Sequence, residues 1–521
     1  MNKPILFLLL TLVWGCSGNK QQDQVELVSN LPIENPVILG EFPDPSVIQV
    51  GDTYYACGTS NDWAPIYPIY RSTDLVNWEF QNYVFMEAPE WTMSSFWAPE
   101  LYYKDGTFFC YYTAKRKDGV SCIGVASTRD IQKGFEDHGV LIEWGSESID
   151  AFVNEVEGQG YVTWKAYGLN PDKPIQILGS KLSENGLELE GEVFEVVTAE
   201  AETWERGGIE GQSIVRNGAY LYLLYSGAAC CGGGCDYKVG VARAKHMEGP
   251  WEKYGGNPIL TDFGDWKCPG HGTPIMTSNE EWYYLYHAYQ KVGFPYMGRS
   301  GLLSPLSWDE KTGWPYFKTL DLMEGQVKKQ ELSGIKDEFD QDQLGEFWRW
   351  DLASFLPATE VKDGVLYLGG KAKHQNSPID MALSVIPQRP SYEVRAKLNS
   401  QSDVMKGILV YGTHDSSIGL GFQGGKLTLF EVRNGEWEEL ASLQLRLSEG
   451  VVLKAKVEEG HKIAFAYQEA EGDWQDIAID QQGTTEVVGD FLEFWQWGVK
   501  PGIFVKGEKS GAFESFELNY P

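Results

Sequence analysis

Five times along this chain a turn signal leads at once into a short aromatic strand, and that recurrence limits the possible folds more than any other feature. The copies are Gly51-Asp52-Thr53-Tyr54-Tyr55, Asp105-Gly106-Thr107-Phe108-Phe109, Gly158-Gln159-Gly160-Tyr161, Asn217-Gly218-Ala219-Tyr220-Leu221-Tyr222 and Asn279-Glu280-Glu281-Trp282-Tyr283-Tyr284. Successive copies lie roughly 50 to 60 residues apart, a period that reads as propeller blades or another array. About ten residues upstream of each copy lies a second short segment, the spacing of one strand from the next. These segments are Phe42-Pro43-Asp44-Pro45-Ser46, Trp97-Ala98-Pro99-Glu100, Ser148-Ile149-Asp150-Ala151, Ile209-Glu210-Gly211-Gln212 and Gly270-His271-Gly272-Thr273. If each is the innermost strand of a blade, all five meet on one axis. Asp44, Asp150 and Glu210 then face one another across a funnel.

The chain of 521 residues is too long for one compact core, so at least two domains are expected. Aromatic residues at 13% and 58 glycines favour an all-β protein with many tight turns. A net charge of −31 argues against nucleic acid, whose phosphates it would repel. The 19 tryptophans mostly read as blade core, but flat apolar sugar faces also stack on such rings.

The N-terminus reads as a targeting segment. Lys3 supplies the positive charge, Pro4 to Trp14 the apolar run, and Gly15-Cys16 the junction. The run is too short to span a bilayer as a helix. Leu12-Val13-Trp14-Gly15-Cys16 resembles a bacterial lipobox, which implies lipidation of Cys16 and a lipid-anchored protein of the cell envelope, at the outer membrane or in the periplasm. An ordinary secretory signal is the alternative. The expected organisation is a lipoprotein signal over 1–16, a polar tether over 17–34, a propeller over 35–325 and a β-sandwich over 336–521.

Of eight cysteines, removal of Cys16 leaves seven, an odd number, so at least one thiol is free or paired elsewhere. The cluster Cys230-Cys231-Gly232-Gly233-Gly234-Cys235 lacks a second pair at zinc spacing, and reads as a loop-stabilising disulfide near the funnel mouth. The polar stretch from Asp321 to Lys336 reads as a linker. Beyond it, alternating runs such as Val365-Leu366-Tyr367-Leu368, Gly407-Ile408-Leu409-Val410-Tyr411 and Lys426-Leu427-Thr428-Leu429-Phe430 suggest two packed sheets with no nucleophile or metal cluster.

The segments bearing Asp44, Glu100, Asp150 and Glu210, in that order, resemble glycoside hydrolase family 43. Gly298-Arg299-Ser300-Gly301-Leu302-Leu303 and Gly313-Trp314-Pro315 look like that family's closing segment. The second half, opening with Asp337-Glu338-Phe339-Asp340, is similar to the concanavalin-like sandwich of the family's β-xylosidases. The resemblance implies an all-β, five-bladed β-propeller followed by that sandwich, and hydrolysis of pentose linkages with inversion. Gln212 stands where the resemblance expects a proline.

By resemblance Asp44 is the general base, Glu210 the general acid, and Asp150 the carboxylate that keeps Glu210 oriented and protonated. A nearby negative charge would raise the Glu210 pKa toward the working pH. Inverting hydrolysis sets base and acid about 6.5–9.5 Å apart, leaving room for the attacking water. Arg299 matches an arginine that reaches sugar hydroxyls, and Trp97 is a candidate sugar platform. His271 matches a histidine near the axis, where some relatives hold calcium largely through waters. The chemistry itself needs no cofactor. The expected substrate is a terminal α-L-arabinofuranoside of plant polysaccharides or oligosaccharides, with a β-D-xyloside as the alternative. A galactofuranosidase, an exo-galactanase and a non-catalytic surface glycan-binding protein are more distant readings.

Overall fold

The computed structural model describes residues 31–168, 173–317, 332, 334–399, 404–445, 450–469 and 472–521. The signal segment with Cys16, nearly all of the tether and most of the 321–336 stretch lie outside the described residues.

Among the described residues, five four-stranded antiparallel sheets follow one another from Ser46 to Tyr316. Their first strands are Ser46–Val50, Thr92–Lys104, Ser148–Val156, Ile209–Asn217 and Trp266–Met276, which open blades I to V. These five strands touch in a closed ring, blade V returning to blade I. The aromatic repeats form the second strands, Thr53–Cys57, Thr107–Arg116, Gln159–Ala166, Tyr220–Gly227 and Trp282–Gln290. The turn signals explain the hairpins. Lys104 pairs with Thr107 across Asp105-Gly106, and Val156 with Gln159 across Glu157-Gly158. All four turn residues have positive φ, as a two-residue turn matched to strand twist requires.

Each blade is wedged to the next by its own apolar cluster. Tyr67, Leu101 and Tyr112 join blades I and II, Tyr111, Val153 and Trp164 join II and III, and Ile177, Ile214 and Leu223 join III and IV. Leu224 and Tyr286 join IV to V, while Val47, Tyr54 and Leu285 join V to I. The entering chain reinforces that last joint, since Ile38 and Gly301 exchange backbone hydrogen bonds at 3.1 Å.

The second domain is a sandwich of a nine-stranded and a six-stranded sheet among the described residues. The end of the expected linker is already part of it. Ile335–Asp337 is a strand paired with Gly511–Asn519, because Ile335 packs onto the sandwich core. The two domains interlock. Trp63–Ala64 of blade I pairs with Trp350–Asp351, and the Trp63 ring enters the sandwich core edge-on to Tyr411 and Trp497, at 5.7 and 6.0 Å. Such ring pairs contribute about 1 kcal/mol each beyond their burial. Lys500 of the sandwich meets Glu41 at 2.5 Å with both side chains buried, an ion pair better suited to fixing the docking register than to adding stability.

Candidate active site

At or just before the first strand, each blade bends into the left-handed region at a matching position near the axis. The residues there are Asp44 (φ 53°), Ala98 (41°), Asp150 (58°), Gly211 (58°) and His271 (41°). In blades II to V they sit where the pairing register slips, at bulges that turn the strand toward the axis. A non-glycine residue held there costs on the order of 1–3 kcal/mol, so the surroundings must hold it. Blade IV requires glycine outright, because a Cβ on Gly211 would lie 2.7 Å from His271 Cγ.

What holds these residues is a relay around the ring, in which one blade accepts the left-handed N–H of the next. Asp44 N–H donates to His287 Nδ1 of blade V at 3.1 Å, and Ala98 N–H to Thr59 Oγ1 at 2.6 Å. Asp150 N–H donates to Thr113 Oγ1 at 3.0 Å, and His271 N–H to Ser226 Oγ at 2.8 Å. Thr113, Ser226 and His287 occupy matching register positions, opposite Trp97, Glu210 and Gly270. Blade III breaks the pattern. Its matching residue, opposite Ile149, is Lys165, which has no acceptor to offer. The Gly211 N–H bonds instead to Asp150 Oδ2 at 3.1 Å, and Lys165 reaches past it to Glu210 Oε2 at 2.9 Å.

Asp44, Trp97, Asp150, Glu210, His271 and Arg299, the six site residues expected from sequence, all line one pocket of about 380 Å³. Lys165, Glu147, Asn61, Cys230 and Cys231 join them, together with Trp495 and Gln496 from the sandwich. Pockets of this size suit small ligands.

The three carboxyls are in different electrostatic states. Burial pushes Asp44 up, but Arg299 at 2.9 Å and His271 at 3.5 Å outweigh it and hold it far below the usual carboxylate range. Thr59 Oγ1 donates to its other oxygen at 2.8 Å. Asp44 is therefore ionised at any working pH. Burial with Arg299 nearby lowers His287 to about 4, so its ring is neutral and can accept the Asp44 N–H. Arg299 reaches the pocket chiefly as the partner of Asp44, with its own pKa raised: burial pushes it down, and the Asp44 charge more than reverses that.

Asp150 and Glu210 divide the remaining charge. Burial raises Asp150 to about 7, helped by the Glu210 charge and opposed by His271. Glu210 goes the other way. Burial would raise it, but Lys165, His271 and the Tyr237 hydroxyl at 3.0 Å bring it below its ordinary value. This corrects the expectation that Asp150 keeps Glu210 protonated. As the side chains stand, the pair's proton lies on Asp150, because Lys165 adds a positive charge beside Glu210 that the motif did not reveal.

Glu100 lies outside the pocket. It accepts from Ser46 Oγ at 2.6 Å and Val153 N–H at 3.4 Å, tying blades I, II and III together. Gln212, in the position expected for proline, donates its Nε2 to the Asp150 carbonyl. For the expected calcium, held largely through waters, the described residues give no confirming set of side-chain ligands. His271 offers one ring nitrogen that faces Asp44 and Asp150, at 3.5 and 3.8 Å, and no group of three His, Cys, Asp or Glu suited to a metal occurs among the described residues. Calcium asks for six to eight oxygens. The cysteine-rich loop holds two disulfides, Cys230–Cys231 and Cys235–Cys268, while Cys57, Cys110 and Cys122 are free and buried.

Comparison with known proteins agrees with this geometry. The profile of "Glycosyl hydrolases family 43" matches residues 33–315, and that of "Beta xylosidase C-terminal Concanavalin A-like domain" matches 336–518. A xylan 1,3-beta-xylosidase of a Vibrio species is 27% identical over 55% of this chain and 57% of its own length. A non-reducing end alpha-L-arabinofuranosidase of Bacteroides ovatus is 26% identical over 71% of this chain and 70% of its own. The chain thus spans little more than half of the Vibrio relative. The crystal structure of a xylan beta-1,4-xylosidase from Bacillus halodurans superposes with a TM-score of 0.77 at 22% identity, over 94% of this chain and 100% of the other. That likeness fixes the fold, a five-bladed propeller with an appended sandwich.

Proposed function

The chain belongs to glycosyl hydrolase family 43, and we propose that it is an inverting exo-glycosidase that removes terminal α-L-arabinofuranosyl units from plant polysaccharides or oligosaccharides. The observation that carries this reading is the convergence of three carboxyls from three blades in one pocket, with the pKa of Asp44 and Glu210 lowered and that of Asp150 raised. Asp44, permanently ionised, takes the proton of the attacking water. Asp150 retains a proton for the pair up to about pH 7; that proton must move to Glu210 when substrate enters the pocket, and Glu210 then gives it to the departing oxygen and is left as the carboxylate. Arg299 and His271 balance the negative charge of the cluster and face the sugar, and Trp97 supplies an aromatic wall.

Exo action fits a pocket bounded by Trp495 and Gln496 of the sandwich rather than an open groove. The arabinofuranosyl preference draws on the Bacteroides ovatus relative, whose alignment extends past the propeller's share of the chain. A β-D-xylosidase is the second reading, supported by the match of the sandwich to the β-xylosidase C-terminal domain. Aryl α-L-arabinofuranoside and aryl β-D-xyloside assayed side by side separate the two, with the first-formed anomer read by NMR. The reading expects faster arabinoside turnover and inverted product. Xyloside preference overturns the substrate, and retained configuration overturns the mechanism. The lipobox-like segment supports anchoring through Cys16 in the cell envelope. Membrane fractionation that survives Cys16→Ala would refute that part.

A further inference from the structure

The pocket has an apolar side that the carboxylate chemistry does not use. It is made by the Cys230–Cys231 disulfide, a bond between adjacent residues, and by Trp495 of the sandwich, whose ring is 48% exposed. The cysteine loop leaves blade IV directly after Ser226 and Gly227, the residues paired with Glu210 and Ile209. It returns at Tyr237, whose hydroxyl donates to Glu210 Oε1 at 3.0 Å. Both ends of the loop are thus fixed beside Glu210.

The sandwich and blade V together fix its crest. Gly233 N–H donates to Glu493 Oε1 at 2.6 Å, and Gly232 N–H to Tyr289 OH at 3.0 Å. A Cβ on Gly232 would lie 3.1 Å from Trp495, and with φ at +70° this position favours glycine where the loop meets the sandwich. Next to this wall, the Gln496 amide oxygen is buried without a partner among the described residues.

We infer that the Cys230–Cys231 disulfide, with Trp495 and the Gln496 amide, forms the subsite for the leaving-group sugar, and that Glu493 holds this wall in place. The disulfide and the indole take the C–H face of the ring, and the Gln496 oxygen accepts one of its hydroxyls. The assignment rests on Glu210 being the acid, since only then is the leaving group on the blade IV side.

The test compares two substrates of the sugar that the wild type releases: an oligosaccharide, which fills the subsite, and the glycosyl fluoride, which leaves it empty and needs no proton donor. Cys230→Ser with Cys231→Ser should lower kcat/KM on the oligosaccharide about tenfold, the effect of losing a modest apolar contact, mainly through KM. Fluoride hydrolysis should stay within about twofold. Glu493→Ala keeps the disulfide and should give the same split at about threefold, which covers a double variant that fails to fold. Equal losses on both substrates, or none on the oligosaccharide, overturn the inference. Failure of the wild type on both substrates refutes the hydrolase reading instead.

Discussion

The propeller axis and the sandwich core both bury most of their side chains, yet they are built on opposite principles. Around Leu366, Leu420, Leu453 and Phe516 the sandwich packs apolar side chains from two sheets whose strands alternate inward and outward residues. Around the axis the chain buries Asp44, Asp150, Arg299 and His287 and bends the backbone into the left-handed region in every blade. An apolar core is stable without help. The axis stands only because the five blades hand hydrogen bonds round the ring and because each negative charge has a positive neighbour. Strain and buried charge concentrated at one place, against ordinary packing elsewhere, mark where the molecule works.

The difference can be broken most severely at Asp44. Asp44→Asn should reduce turnover about ten-thousandfold on every substrate, because the water loses its base. It should also destabilise the fold by about 3 kcal/mol, since Arg299 is left buried without its carboxylate. Full activity would remove Asp44 from the chemistry. The sandwich should answer in the opposite manner. Leu453→Ala should cost about 3 kcal/mol of stability by opening a cavity, while kcat/KM per folded molecule stays at the wild-type value. A loss of specific activity matching the loss of stability would mean that the two regions are not separable.

Smaller effects divide Lys165 from Asp150. A general acid must be protonated, so activity fails as pH rises through the Glu210 pKa. Lys165 lowers that pKa, and Lys165→Met should therefore move the alkaline limb of the pH–rate profile to higher pH. Asp150→Asn removes the carboxyl that holds the pair's proton up to about pH 7 and leaves Glu210 with its lowered pKa, so it should move the same limb to lower pH. Shifts in one common direction would contradict the assignment of charge within the pair.

Much of this was legible in the sequence, and the limits are physical. The five aromatic repeats fixed the second strands, and the segments upstream of them placed Asp44, Asp150 and Glu210 on the axis, because antiparallel hairpins keep local spacing. Lys165 carried a signal that was not read: aligned by register, the second strands offer Thr113, Lys165, Ser226 and His287, and lysine is the odd member. Trp495 and Gln496 carried none. They reach the pocket through domain docking set by Trp63 and Lys500, and no local pattern encodes that distance. The expected linker misled at Ile335 because a short polar strand at a sheet edge has the composition of a loop.

The division of labour between Asp44 and Glu210 is the centre of the account, and leaving-group dependence tests it most directly. In Glu210→Gln, kcat/KM should fall about a thousandfold on glycosides with a sugar leaving group, which departs only when protonated. On dinitrophenyl glycosides of the same sugar the loss should be about tenfold or less, since that leaving group needs little proton assistance. An equal loss on both classes would contradict Glu210 as the acid, and with it the assignment of the blade IV side to the leaving group.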